Sequence, residues 1–172
     1  MKCMADRRTE ERYLDKATNR IFRDVTNYFP PVAASVLIDK FQWLLERVND
    51  FLFAFFDQHI AVNEGYISVE DIAQMLIDDY SYTVELRHKC EQSKSTRAVR
   101  LRQQTTDFCI RWTCEIMALV LLDKFGWDTQ TVTRFIRNID GYVGKFADGG
   151  KDHVARIARL REQQIDIKAH IR

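Results

Sequence analysis

Apolar side chains return every three or four positions along most of the chain, and nowhere do apolar and polar residues alternate for more than four or five positions. The first pattern lays one apolar stripe along a helix; the second, if present, would mark a half-buried strand. Residues 6–27 carry Tyr13, Leu14, Ala17, Ile21 and Val25 at helical spacing and predict a charged amphipathic helix. Pro30 and Pro31 are expected to end it, with Pro31 in the first turn of the next helix. That second helical region includes the run FLFAFF (residues 51–56) and closes at Gly65. Ser68 followed by Asp71 has the form of a capping box, with Asp in place of the usual Glu or Gln. The helix it opens reaches about Tyr80 and turns Val69, Ile72, Met75 and Leu76 inward.

A polar stretch, RHKCEQSKSTR (residues 87–97), reads as a loop or an exposed helical turn. The run CIRWTCEIMALVLLDKF then leads to Gly126, a left-handed residue just past a helix end. Asp128 caps a new helix with Val132, Phe135, Ile136 and Ile139 on one face. After Gly149–Gly150, Asp152 caps a last segment striped by Val154, Ile157 and Leu160. The expected fold is all-α, a compact bundle of five to seven helices. It divides into a first unit (1–86), a polar connector (87–104) and a second unit (105–172) within one compact domain.

A shift of 84 residues aligns ASVLIDKFQW (34–43) with ALVLLDKFGW (118–127), and seven of the ten positions are identical. Val48 then matches Val132 and Phe51 matches Phe135. Two helices that share only a pattern rarely keep a Trp and an Asp-Lys pair as well, so residues 34–57 and 118–139 read as an internal pseudo-repeat. The repeated unit is the end of one helix and the turn into the next. In the first copy Gln42 replaces Gly126, which predicts a turn smoothed into one helix from residue 31 to about 57. Phe41, Trp43, Phe125 and Trp127 are expected to be core anchors, because an aromatic of this size buries about 150–250 Å².

Composition narrows the class. Hydrophobic residues make up 46% and charged residues 30%, with six Gly and two Pro. That favours a globular helical protein over a disordered one. The apolar run 51–56 is far shorter than the roughly 20 residues needed to span a bilayer. The opening MKCMADRRTEER lacks the apolar stretch of a signal peptide. Cysteines at 3, 90, 109 and 114 form no Cys-x-x-Cys pair. A cytoplasmic chain with reduced thiols is the expectation.

Catalytic motifs are missing: there is no P-loop, Gly-x-Gly-x-x-Gly, Gly-x-Ser-x-Gly or His-Glu-x-x-His. The histidines, at 59, 88, 153 and 170, lie far apart. His59 beside Asp57 reads as a satisfied surface or interhelical histidine before a base or ligand. Cys109 and Cys114 point about 140° apart on one helix and make no metal clamp. Asp39 and Asp123, at matching places in the repeat, read as solvated helix-end charges. No enzyme activity, metal or cofactor is expected.

Charge is unevenly spread. Residues 48–86 hold eight acidic side chains and no Lys or Arg, whereas residues 87–172 hold 17 basic against 10 acidic. Two working surfaces follow. Glu64, Glu70, Asp71, Asp78 and Asp79 can enter a basic groove on a partner protein, steered electrostatically. Alternatively Arg87, Lys89, Lys94, Arg97, Arg100 and Arg102, with Arg156, Arg159 and Arg161, can contact nucleic-acid phosphates. The plain reading is that both blocks are solvated faces. The density of aromatics in FLFAFF also allows a homodimer or assembly contact.

LLDKFGW, VTRFIRNID and NEGYISVEDIAQMLIDDY together resemble a family of small, mostly uncharacterised helical proteins encoded in phages and prophages of Gram-positive bacteria. The sequence departs from the family pattern at Lys40 and Lys124, which stand where an acidic residue is expected, and keeps Gly-Tyr-Ile-Ser only in the first copy. The resemblance covers about half the chain. It implies a helical fold and a phage context, and so the cytoplasm of a bacterial host cell, with no catalytic residues to transfer. Joined to the acidic block, it raises a stoichiometric inhibitor of a bacterial defence nuclease, of the anti-CRISPR kind, whose partner is a host nucleoprotein complex.

Overall fold

Residues 109–122 of the second unit are buried on every side except at Arg111, so they belong to a central helix and not to a surface one. The structure, a computed structural model, describes residues 4–87 and 97–143, with side chains for 16–87 and 99–143. Five helices lie within this span: α1 (Met4–Phe41), α2 (Leu45–Asn63), α3 (Val69–Tyr80), α4 (Arg97–Asp123) and α5 (Thr129–Asp140). The fold is all-α. Helices α1, α2, α3 and α5 all pack against α4, and α1 also meets α2 and α5. The two predicted units are thus packed into each other. The predicted segment after Gly149–Gly150, and the side chains of Tyr13 and Leu14, lie outside the described residues.

Two expectations fail for instructive reasons. Helix α1 does not end at Pro30–Pro31 but runs through both. Each proline removes an amide donor and crowds the preceding turn, which costs about 3 kcal/mol in a helix interior. Here Tyr28, Phe29, Val32 and Leu37 bury their side chains completely around the prolines, at about 1.5–3 kcal/mol each. Tertiary burial outweighs the local rule. The first corner is likewise not smoothed into a continuous helix. Gln42 takes φ 56°, beside φ 62° for Gly126, and both break the chain at the same place in the repeat.

The two corners share their hydrogen bonding. Trp43 N–H donates to the Leu37 carbonyl at 3.1 Å, and Trp127 N–H to the Leu121 carbonyl at 3.0 Å, each six residues back. Leu44 (φ −70°, ψ 154°) and Asp128 (φ −76°, ψ 158°) then stand at matching N-cap positions. Leu44 brings no capping side chain, whereas Asp128 accepts from Thr131 N–H at 2.7 Å. A left-handed conformation strains a residue with a Cβ by roughly 1 kcal/mol, and glycine escapes that cost. Gln42→Gly is therefore expected to raise stability by about 0.5–1 kcal/mol, and Gly126→Ala to lower it by about 1 kcal/mol. Nothing lies within 4 Å of a Cβ built on Gly126, so that loss is conformational and not a clash. Urea unfolding of both variants checks the pair; a loss in Gln42→Gly would show that its side chain matters more than its backbone.

The corners interlock through aromatic rings, and the contacts come in matched pairs. Phe41–Trp127 (4.8 Å between centroids) corresponds to Phe125–Trp43 (4.9 Å). Trp43–Phe51 (6.4 Å) corresponds to Trp127–Phe135 (6.1 Å), and Phe41–Phe135 (6.2 Å) to Phe125–Phe51 (6.4 Å). Trp43–Trp127 (5.3 Å) and Phe51–Phe135 (6.3 Å) are their own counterparts. Such self-complementary pairing is the geometry of a two-fold interface, written here inside one chain. Trp43 is buried, while Phe41, Phe125 and Trp127 are partly buried against the core. Arg47 lies over Trp43 at 4.3 Å and Arg134 over Phe41 at 4.9 Å, closing the cluster by cation–π contact.

The remaining elements follow local chemistry. Gly65 (φ 77°) ends α2, its N–H bonded to the Val62 carbonyl and the Tyr66 N–H to that of Ala61. The capping box forms: Asp71 N–H donates to Ser68 Oγ at 3.0 Å and Ser68 N–H to Asp71 Oδ2 at 2.9 Å. In α3, Ile72 and Leu76 are buried and Val69 is partly so, but Met75 faces outward. Val132, Phe135, Ile136 and Ile139 of α5 are all buried.

Candidate functional site

Helices α2 and α3 carry the acidic block. Glu64, Glu70, Asp71, Asp78 and Asp79 are all exposed. They are not equally free. Asp71 is held by its own cap, and the Ser68 amide keeps its carboxyl below the ordinary range. Asp78 accepts from Gln74 Nε2 at 2.8 Å. Glu64 is the C-cap residue of α2. Asp79 borders a recess of about 80 Å³ together with Gln58, Met75, Tyr80, Asp123 and Lys124, room for little beyond a few water molecules. Inside it Tyr80 donates from its hydroxyl to Asp123 Oδ1 at 3.2 Å.

Between these acids stand large apolar side chains that charge counting alone does not reveal. Tyr66 is 81% exposed, Phe53 54% and Ile77 48%, and Ile60 and Met75 are also exposed. Of the run 51–56, only Phe53 reaches the surface, so any self-association through that run rests on this one ring. One signal for it was present. Val48, Phe51, Leu52, Phe55 and His59 form the inward stripe, and Phe53, Asp57, Ile60 and Glu64 repeat at helical spacing on another. Residues 48–86 thus expose carboxylates mixed with apolar side chains and contain no Lys or Arg, and Lys124 of α4 is the basic neighbour bordering Asp79.

Of the nine basic candidates, three have described side chains. Arg87, Arg100 and Arg102 are exposed, and Arg97 begins α4. The side chain of Arg97, and Lys89, Lys94, Arg156, Arg159 and Arg161 altogether, lie outside the described residues. Arg87 ties the connector down by its backbone, donating N–H to Asp140 Oδ2 at 3.2 Å. Val99, Leu101 and Phe108 are exposed on the same half of α4.

Among the described residues the buried ionisable groups are answered internally or held neutral by burial, whereas Ser35 Oγ and Trp112 Nε1 are buried without a hydrogen-bond partner. His59 is buried, with Thr26 Oγ1 3.1 Å from Nε2 and Asn63 Nδ2 3.2 Å from Nδ1. It stacks with Phe22 (5.0 Å) and Trp112 (5.3 Å). Burial lowers its pKa to about 4, so it is neutral near pH 7 and shielded from solvent. Glu115 is buried and answered by Arg111 Nε at 3.0 Å; burial raises its pKa. Burial pushes the Cys109 thiol up to about 11 and the Cys114 thiol further still, so neither is a ready nucleophile. Asp39 and Lys40, like Asp123 and Lys124, are exposed at the ends of their helices. Among the described residues no three His, Cys, Asp or Glu side chains are placed to hold a metal ion, and no helix is long and apolar enough to cross a membrane.

Comparison of the chain with protein-family models, with curated proteins and with solved structures finds no match.

Proposed function

We propose that this protein works by binding a basic partner protein through the α2–α3 face and not by catalysis. The observation that carries the reading is the mixture on that face: exposed acids steer a cationic surface, and Phe53, Ile60, Tyr66, Met75 and Ile77 supply the apolar area that makes contact durable. A solvated acidic face needs no such side chains. The partner class that fits is a protein whose basic groove ordinarily holds nucleic acid, since carboxylates spaced along a helix can occupy phosphate positions. Together with the phage-family resemblance, this favours a stoichiometric inhibitor of a bacterial defence nuclease, of the anti-CRISPR kind.

The test leaves Asp71 in place because it caps α3. Glu64, Glu70, Asp78 and Asp79 are changed together to Lys, and Phe53 and Tyr66 to Ser in a separate variant. A guide-loaded defence nuclease from the host is titrated with each protein. The expected result is inhibition by the parent, weakening with salt, and a loss of at least about tenfold in both variants. Inhibition unchanged by the four charge reversals ends this reading. A salt-sensitive gel shift with random duplex or single-stranded DNA, abolished by Arg100→Glu and Arg102→Glu, would move the function to the basic half.

A further inference from the structure

Between the C-cap of α3 and the outer side of α5 lies an open recess of about 410 Å³ that neither charge block uses. Its lining is Ser81, Tyr82, Thr129, Gln130, Thr133 and Arg137. Every one of these side chains carries a hydroxyl, an amide or a guanidinium, and none is a carboxylate. Arg137 is exposed and makes no ion pair among the described residues.

Two stretches about fifty residues apart build the recess. Ser81 ends α3 at φ 50°, and the Tyr82 N–H reaches back to the Leu76 carbonyl at 2.9 Å, which lays residues 81–82 beside α5. Thr133 gives its hydroxyl proton to the Thr129 carbonyl at 2.7 Å, and its side chain also hydrogen-bonds with Tyr82. Tyr82 is buried, and that burial, more than any neighbouring charge, pushes its phenol above the ordinary range, so it stays protonated against the Thr133 side chain. Two acids lie nearby. Asp128 has both oxygens committed to Thr131, at 2.7 and 2.9 Å, and Glu85, an exposed side chain four residues past Ser81, is near enough to act on Tyr82 as Arg137 does.

We infer that this recess binds a phosphate monoester, with Arg137 as its charge partner and the Ser81 and Thr129 hydroxyls and the Gln130 amide as further donors. The balance of groups selects that chemistry. One cation and several neutral donors, on two sides of an opening, match the three oxygens of a phosphate better than the flat pair of a carboxylate. The recess falls within the usual size of a small-molecule site, about 300–1,000 Å³, so it has room for more than the phosphate itself. A free nucleotide and the 5′ end of a nucleic-acid strand share this group. The recess shares no residue with the acidic face.

The experiment follows amide shifts in the full chain on titration with inorganic phosphate, AMP, adenosine, acetate, and a short oligothymidylate with or without a 5′ phosphate. Phosphate and AMP are expected to move the Ser81, Thr129 and Thr133 amides saturably at millimolar concentration or below, while adenosine and acetate leave them still. Whether AMP or the phosphorylated strand binds more tightly identifies the source. Arg137→Gln is expected to weaken AMP about tenfold or more, and Arg137→Lys less. Because Arg137 is exposed, the fold is expected to survive; Thr129→Val is a second variant expected to weaken binding without touching the cation. Equal affinity for adenosine and AMP, acetate binding as well as phosphate, no saturable shift, or AMP affinity unchanged in both Arg137→Gln and Thr129→Val each overturns the assignment.

Discussion

Phe51→Ala and Phe135→Ala are each expected to lower the unfolding free energy by about 3–5 kcal/mol, and by nearly equal amounts. Both rings are fully buried and sit at matching places in the two corners, 6.3 Å from each other. Each also touches one aromatic from each corner: Phe51 meets Trp43 and Phe125, and Phe135 meets Trp127 and Phe41. Removal costs the transfer energy of the ring and leaves a cavity that surrounding rings cannot readily fill. The double variant should depart from the sum of the singles by about 0.5–3 kcal/mol, because the two share one packing space. Natural domains hold only about 5–15 kcal/mol in all, so the double variant is expected to be largely unfolded. Phe53→Ala is the control. Its ring is 54% exposed, and the same chemical change two residues from Phe51 should shift stability by only about 0.5 kcal/mol. Urea unfolding followed by far-UV circular dichroism separates these cases, and a Phe51 loss as small as that at Phe53 would mean the interlock does not hold the corners together.

The same rings show what the sequence could and could not reveal. Gly126 and Asp128 announced their corner, because a left-handed position and an N-cap each favour a particular residue type. The first corner was hidden by Gln42 and Leu44, which announce nothing. Only the 84-residue repeat pointed there, through Trp43 and Phe51. Pro30 and Pro31 misled in the opposite sense: they state a strong local preference, and the burial of residues 28–37 overrides it. The acids at 64–79 were readable as a charge block. Their apolar companions were harder to see, since Phe53 stands inside a run whose other members are buried, and only its phase on the helix sets it apart. Nothing local joins Ser81 to Arg137 or Thr26 to His59. Ser81 and Arg137 border one recess only once the chain after α3 lies beside α5, and Thr26 pairs with His59 only once α1 meets α2.

Acid is expected to expose the second of these pairings. Folded His59 has its pKa lowered to about 4, against 6.5 for the exposed side chain. Below pH 6.5 the unfolded chain takes up a proton at this residue that the folded chain refuses. The contribution is therefore complete above pH 6.5 and is lost progressively as pH falls towards 4, a total of about 3 kcal/mol. The geometry explains the refusal. With Asn63 Nδ2 donating to Nδ1, Nε2–H donates to Thr26 Oγ1, and both nitrogens are satisfied only while the ring is neutral. A second proton on Nδ1 would face the Asn63 amide donor from within a shell of Phe22, Phe55, Phe56 and Trp112. His59→Gln keeps a donor and an acceptor and cannot titrate, so the difference between the two proteins isolates the histidine. Asp71 and Asp128, each held down by hydrogen bonds, lose stability with acid in both proteins. Glu115 works in the other direction, because burial favours its protonated form, and it too is common to both. Urea unfolding at intervals from pH 7 to pH 4 should show the parent losing stability more steeply than His59→Gln, with the gap opening below pH 6.5. Parallel curves would mean that His59 can be protonated in place, through an Asn63 flip or water reaching the ring, and that the aromatic shell around it is not closed.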